Sequence, residues 1–333
     1  MTYLAADRPR NTHTCVEAEP RPIHSVTVGV TTVAFSKSEH LLDRLRHMGF
    51  REVRTNMKQA RLTRSELVDL LRGCDAAIVG LDRIDAEILR QAPHLQVISK
   101  YGVGLDNISL NDCESRGIVV CHSPGVNRRS VAELTLGFML ALLRNIHTAS
   151  LRLMEGIWVK NGGTQLTGKS VGIIGVGNVG KELVSLLRPF NCRILVNDVV
   201  EQTQYYKRNN LTESTKERIF RESDIVTLHT PLTPQTDGLV DSRALATMKP
   251  SAVLINTARG GIVVEDDLKT ALINKVIAGA ALDVHSQEPP DDLGLLKMPN
   301  VIATPHIGGN AYEAVNAMGV SAIDNLIDFY RPG

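Results

Sequence analysis

Three side chains in the second half of this 333-residue sequence have the types that a carbonyl–alcohol interconversion needs: Arg259, Glu288 and His306. Arg259 stands in Asn256-Thr257-Ala258-Arg259-Gly260-Gly261, just past an apolar run. A guanidinium there could grip a carboxylate through two parallel hydrogen bonds and polarise the neighbouring carbonyl. His306 follows another apolar run, beside Pro305. An imidazole that titrates near neutrality can give a proton to a forming alkoxide or take one from an alcohol. Glu288, in the rigid stretch Glu288-Pro289-Pro290, supplies a carboxylate that would orient the ring and favour its charged form. Singly, a loop glutamate is usually solvated and a histidine usually structural. The three together single out these positions.

A glycine pattern suggests what works beside them. Val171 to Gly180 is an apolar run that breaks into G-x-G-x-x-G, with Asn178 and Val179 between the last two glycines. The run reads as a buried strand, and Lys181 to Leu187 carries apolar residues at helical spacing. Gly175 would allow a tight turn, Gly177 would let the backbone approach a pyrophosphate, and Gly180 would let helix and sheet pack closely. The helix start then offers N–H groups and a positive dipole end to phosphates. Alone, such a motif also fits a glycine turn in any parallel sheet. The next strand, Arg193 to Asp198, adds an acid that can accept ribose hydroxyls and repel a 2′-phosphate. Val199 and Val200 follow, with no adjacent arginine, so the pattern points to NAD rather than NADP.

The elements that must position these residues are strands alternating with helical stretches. Short stretches that read as strands fall at Ser25–Val30, Glu52–Thr55, Ala76–Val79, Leu95–Ser99 and Gly117–Cys121, and again at Asp224–His229, Ala252–Asn256, Ala278–Asp283 and Val301–Thr304. Such alternation implies α/β architecture with two doubly wound parallel-sheet domains, a flavodoxin-like substrate domain and a Rossmann NAD-binding domain. In open sheets of this kind ligands bind at the carboxyl edge of the strands, where the polar residues stand. Ser130 with Glu133 three residues later predicts a capping box opening a helix to about Ile146. The expected divisions are an N-terminal extension over 1–24, rich in polar residues and disordered, a substrate domain over 25–127 and 305–333, and a cofactor domain over 128–304.

Composition narrows the function classes. A formal net charge of +1 gives no electrostatic case for nucleic acid or a membrane surface, and 4% aromatic content argues against base-stacking platforms. Five widely spaced cysteines without a C-x-x-C fit reduced thiols in a cytoplasmic protein, and no metal-ligand cluster is visible. The N-terminus lacks a signal-peptide pattern, and the apolar segment Val131–Leu143 is too short to span a bilayer.

From about Val26 to Tyr330 the chain resembles the NAD-dependent D-2-hydroxyacid dehydrogenase family. The resemblance rests on SPGVNRRSVAEL (Ser123–Leu134), VGIIGVGNVG, NTARGGIVVEDDL (Asn256–Leu268), DVHSQEPP (Asp283–Pro290) and TPHIGG (Thr304–Gly309). It implies that Arg259, Glu288 and His306 are the catalytic set and that Asp283 holds the nicotinamide carboxamide. It also implies that Val131, His229, Pro231, Thr236, Thr257 and Ala258 line the cofactor, and that the chain pairs as a homodimer or tetramer through the crossover helix and the segment around Trp158. Lys100-Tyr101-Gly102-Val103-Gly104-Leu105-Asp106-Asn107 is most similar to the substrate loop of the phosphoglycerate dehydrogenase branch. That likeness gives the carboxylate to the Val103 and Gly104 backbone and a phosphate to Lys100, with Arg128 and Arg129 as further charges. D-3-phosphoglycerate is then the expected substrate. Three departures bear on this: His122 for the usual Asn, His285-Ser286 for a common Phe-Glu pair, and no regulatory domain before the end at Gly333. A broader reductase of glyoxylate, hydroxypyruvate or a phosphonate analogue is the alternative. An NAD-sensing corepressor on the same fold is a further one, and turnover separates it from both.

Overall fold

The computed structural model describes residues 12–13, 21–58 and 60–331. The chain divides into two compact units, Met1–Asn127 with Tyr312–Gly333, and Arg128–Ala311. Both are parallel sheets covered by helices on two faces, so successive residues of one strand enter different cores. In the strand Ala76–Val79, Ala76 and Ile78 join one cluster with Val28 and Ile323, while Ala77 and Val79 join another with Ile88 and Ile98. This double burial is why the strands read as continuous apolar runs rather than alternating ones.

In the first unit the strands are β1 (Thr12–His13), β2 (Thr27–Val30), β3 (Glu52–Thr55), β4 (Ala76–Val79), β5 (Val97–Lys100) and β6 (Val119–Cys121), in the order β1-β6-β5-β4-β2-β3. Strands β2 to β6 are parallel, in the doubly wound order of flavodoxin-like sheets. β1 adds an antiparallel edge, Thr12 opposite Cys121 and His13 opposite Val120, within the extension expected to be disordered. The rest of that extension up to residue 20 lies outside the described residues.

The second unit holds β7 (Ser170–Ile174), β8 (Arg193–Asn197), β9 (Thr212–Glu213), β10 (Ile225–Leu228), β11 (Val253–Asn256), β12 (Gly279–Leu282) and β13 (Val301–Ala303). Their order, β13-β12-β11-β10-β7-β8-β9, is fully parallel and turns back between β7 and β10, which makes that gap the ligand-binding switch point.

Two expectations about helices change. The helix expected from Ser130 to Ile146 runs from Arg128 to Leu143, and a second runs from Ile146 to Met154, with a 62° bend between them. Asn145 at the break has φ 52°, a left-handed conformation that cannot continue a right-handed helix. The capping box does not form, because the helix opens two residues earlier. The Ser130 hydroxyl donates to the Gly308 carbonyl, and Glu133 accepts from Arg129. Among the described residues no single helix is long and apolar enough to cross a membrane. The bent pair reaches that threshold together, yet Ala132, Phe138, Met139 and Leu143 of its first helix are buried in the second unit's core with Val171, Ile173 and Ile255. The chain returns to the first unit at Tyr312 rather than at 305, because residues 304–308 are bonded to Asp283.

The returning helix, Tyr312–Tyr330, packs Met318, Ala322, Ile323 and Leu326 into the first unit's core. Gly319 faces Leu41 so closely that a Cβ would overlap its side chain. Leu41 is itself fully buried and has nowhere to retreat. Gly319→Val is therefore expected to destabilise the protein by about 1–3 kcal/mol through overpacking, read as a lower urea midpoint in equilibrium unfolding.

Candidate active site

Arg259, Glu288 and His306 follow β11, β12 and β13, three adjacent strands of the second sheet. Neighbouring strands lie about 4.8 Å apart, so residues remote in sequence emerge side by side at one edge. His306 Nδ1 lies 2.9 and 3.1 Å from the two Glu288 carboxylate oxygens, with the two side chains 27% and 31% exposed. Nδ1 is thus committed to Glu288, and Nε2 remains for a reacting group. Burial alone would raise the Glu288 carboxyl. The hydrogen bond and charge of His306, aided by the His285 backbone N–H, outweigh it and hold the group below the usual carboxylate range.

His306 sits at φ 54°, which is uncommon for a residue with a Cβ and costs energy unless the surroundings enforce it. The enforcement is visible. The His306 N–H donates to the carbonyls of Asp283 and Thr304. The Asp283 carboxylate, 1% exposed, accepts from the Thr304 hydroxyl at 2.6 Å, Ile307 N–H at 2.8 Å and Gly308 N–H at 2.7 Å. A carboxylate has about four acceptor positions, so one is left, on Oδ2. Ser130 holds the same loop from the other side through Gly308, and Val131 lies against Gly308. Thr304 and Ser130 carry no chemistry of their own, and nothing in their spacing announces these roles.

Arg259 is fixed by its neighbours. The Asn256 carboxamide donates to the Arg259 carbonyl at 2.8 Å and accepts from the Ala258 N–H at 3.0 Å. The guanidinium donates to the Ala258 carbonyl at 2.7 Å. Gly260 packs directly on the His285 carbonyl, with no room for a Cβ, so the Arg259 loop and the segment leading to Glu288 touch backbone to backbone. His285, where Phe is common, is buried. Its Nε2 lies 3.2 Å from the Thr304 carbonyl, which can only accept, so Nε2 carries the proton.

The glycine turn follows β7. Gly175, at φ 97°, lies against the His229 carbonyl at the end of β10, where a Cβ would come within 2.5 Å of that oxygen. Gly180 is packed equally tightly on the Gly175 carbonyl, whereas a Cβ on Gly177 would meet nothing within 4 Å. Open space at that one glycine, at the start of the helix Asn178–Leu187, is what a pyrophosphate needs. Asp198 accepts from the N–H groups of Val176 and Val200, tying the glycine turn to the second strand. At the same crevice His229 Nδ1 and Thr230 Oγ1 are buried without a partner among the described residues. Burial holds the His229 ring neutral, with its pKa pushed down to about 3. These orphaned groups and the open glycine fit a bound dinucleotide. Thr257 faces Thr135 at 3.0 Å, and Thr236 closes its own turn onto the Pro231 carbonyl at 2.6 Å.

Lys100, Val103 and Gly104 lie in the first unit. The N–H groups of Gly102, Val103 and Gly104 make no hydrogen bond among the described residues, leaving consecutive donors of the kind that bind anions. The Lys100 ammonium, expected to meet a phosphate, is instead buried and donates to the Gly80 carbonyl at 2.5 Å and to Asn107 Oδ1 at 2.6 Å. Arg128 and Arg129, the further charges expected for the substrate, are in the second unit and pair with Glu182, Arg129 also with Glu133. Cys121, the last residue of β6, is buried, which pushes its thiol up to about 11 and disfavours the thiolate.

The family model described as D-isomer specific 2-hydroxyacid dehydrogenase, NAD binding domain, matches residues 136–308. A glyoxylate reductase from Thermofilum pendens is 40% identical over 274 residues, covering 80% of this chain and 81% of that protein. A hydroxypyruvate reductase from Thermotoga maritima is 35% identical over 271 residues, covering 80% and 88%. The chain also spans about half the length, 52%, of the human D-3-phosphoglycerate dehydrogenase it matches at 34% identity. Among solved structures, a D-isomer specific 2-hydroxyacid dehydrogenase from a Polaromonas species superposes with a TM-score of 0.83 at 27% identity, covering 93% of this chain and 98% of that one. With the glycine turn, the acid of the second strand and the edge that carries Arg259, Glu288 and His306, these matches make the chain an NAD-dependent oxidoreductase that belongs to the D-2-hydroxyacid dehydrogenase family.

Proposed function

We propose that the protein interconverts a small, unphosphorylated D-2-hydroxy acid and its 2-keto acid, with glyoxylate and hydroxypyruvate as the substrate class. The observation that carries this reading is the Glu288–His306 pair on the edge that also bears Arg259. The bonds of Lys100 to Gly80 and Asn107, and of Arg128 and Arg129 to Glu182, argue against a phosphate as the recognised group. Relatives named glyoxylate reductase and hydroxypyruvate reductase support it.

NAD, when bound, supplies or accepts the hydride at the substrate's C2. Arg259 grips the substrate carboxylate and offsets the charge developing on the carbonyl oxygen. In reduction His306 gives that oxygen a proton from Nε2, and in oxidation the same nitrogen removes the hydroxyl proton. Glu288, held ionised, keeps the ring aligned and favours the imidazolium. In the first unit, the open Val103 and Gly104 N–H groups suit a carboxylate. For the cofactor, Gly175, Gly177, Asn178, Val179 and Gly180 form the pyrophosphate cradle and Asp198 takes the ribose hydroxyls. Val131, His229, Pro231, Thr236, Thr257 and Ala258 line the site, and Asp283 offers its remaining acceptor position to the carboxamide.

A homodimer is part of this reading. Ile146, Leu153, Met154, Trp158 and Val159 are all more than half exposed, and such an apolar run is what a partner copy would cover. A cytoplasmic setting fits Cys74, Cys113, Cys121 and Cys192, all free thiols.

Turnover of glyoxylate, hydroxypyruvate and 3-phosphohydroxypyruvate with NADH tests the proposal. The unphosphorylated acids should have the higher kcat/KM. Preference for the phosphorylated acid would overturn the substrate class, and no turnover of any would favour a sensor. Arg259→Ala and His306→Ala should each lower kcat by about 10² or more. Glu288→Gln removes the carboxylate that aligns the ring, and should lower kcat while leaving the KM for NADH nearly unchanged.

A further inference from the structure

We infer that Lys100 is a positioning residue: its buried ammonium latches the two ends of the loop that carries Val103 and Gly104, and it contacts no substrate. The inference rests on the proposed role of that loop in holding the substrate carboxylate.

Lysine is almost never fully buried unless its charge is answered, because taking an ammonium out of water is costly. Lys100 is 4% exposed at the carboxyl end of β5. The Gly80 carbonyl and Asn107 Oδ1, which both accept from it, belong to different places. Gly80 directly follows β4, and Asn107 ends the loop that Lys100 begins. Asn107 completes the closure. Its Nδ2 donates to the Gly80 carbonyl at 3.0 Å and to the Asp82 carbonyl at 2.6 Å, and its own carbonyl accepts from the Ile84 N–H at 2.8 Å. The loop's entrance is pinned separately, through the Tyr101 N–H to the Val79 carbonyl and the Tyr101 ring edge-on to Phe35. Both ends of residues 101–107 are therefore tied to the end of β4 and the turn after it. Only the middle stands clear, with Gly102 at φ 121° and the adjacent N–H groups open.

The electrostatics suit this use. Hydrogen bonds from an ammonium are shorter and stronger than neutral ones, and burial strengthens them. A cation held behind the loop also lends positive potential to its N–H groups without a long side chain occupying the substrate's space. An apolar side chain of similar length would leave Asn107 Oδ1 without this donor and loosen the loop, while Gly80 would keep the Asn107 bond.

Lys100→Met and, independently, Asn107→Ala test the latch. In Lys100→Met the KM for glyoxylate, hydroxypyruvate and 3-phosphohydroxypyruvate should all rise about tenfold or more, with the KM for NADH and the melting temperature nearly unchanged. Asn107→Ala should give the same split. Hydrogen exchange should speed up in both variants at the Ile84, Tyr101 and Ile108 amides, which flank the loop. This second readout needs no turnover, so it holds the latch to account even if the wild type reduces none of these acids. Faster exchange would then uphold the latch while the catalytic reading fell. A loss confined to the phosphorylated acid would mean that Lys100 touches a phosphate and would overturn the latch. Unchanged exchange in both variants would overturn it as well.

Discussion

The chemistry of the second unit hangs on one buried carboxylate. Asp283 sits at the end of β12 and spends three hydrogen bonds on residues 304–308, the segment that follows the neighbouring strand. Those bonds hold His306 in a left-handed backbone conformation that costs about 1–3 kcal/mol where nothing compensates. The conformation turns the imidazole toward Glu288 rather than along the chain. A carboxylate is well suited to this work, since bonds from N–H and O–H donors to an ionised acceptor are about twice as strong as neutral ones. Asp283 therefore has a structural duty whatever it does for a ligand.

The parallel sheet makes that duty possible. Every strand in it delivers its following loop to the same edge, and β11, β12 and β13 are neighbours. The guanidinium, the acid and the imidazole can therefore stand far apart in sequence. The close approach is secured by an absence, since Gly260 has no side chain where the His285 carbonyl passes. Asn256 then fixes the direction in which Arg259 leaves its strand. Positions with no chemistry of their own thus decide whether Arg259, Glu288 and His306 stand together on one edge.

Much of this was legible in the sequence because the signals are local. An apolar run marked the strand β4 residue for residue, and the glycine spacing located the tight turn with its one open glycine. Signals with two local readings were less dependable. Ser130 and Glu133 match a capping box, yet the helix begins earlier and Ser130 serves Gly308, a residue far along the chain. The break at Asn145 was hidden because asparagine tolerates the left-handed region without advertising it as glycine does. β1 went unseen because two residues have no periodicity to read, and its register depends on an edge supplied by β6.

Lys100 marks the deeper limit. A lysine at the carboxyl end of a central strand, beside a glycine-rich loop, has the look of a ligand contact, and its charge invites an anion. Its destination is set by Gly80, which directly follows β4 beside β5, and by Asn107, whose carboxamide can answer both an ammonium and a carbonyl. None of those conditions is a property of the lysine or of its neighbours in sequence. A buried cation is costly, so a fold retains one where the groups around it need a fixed donor. Here those groups belong to the loop with the open N–H donors. The charge that reads as specificity for a phosphate is spent on the shape of the loop that presents those donors.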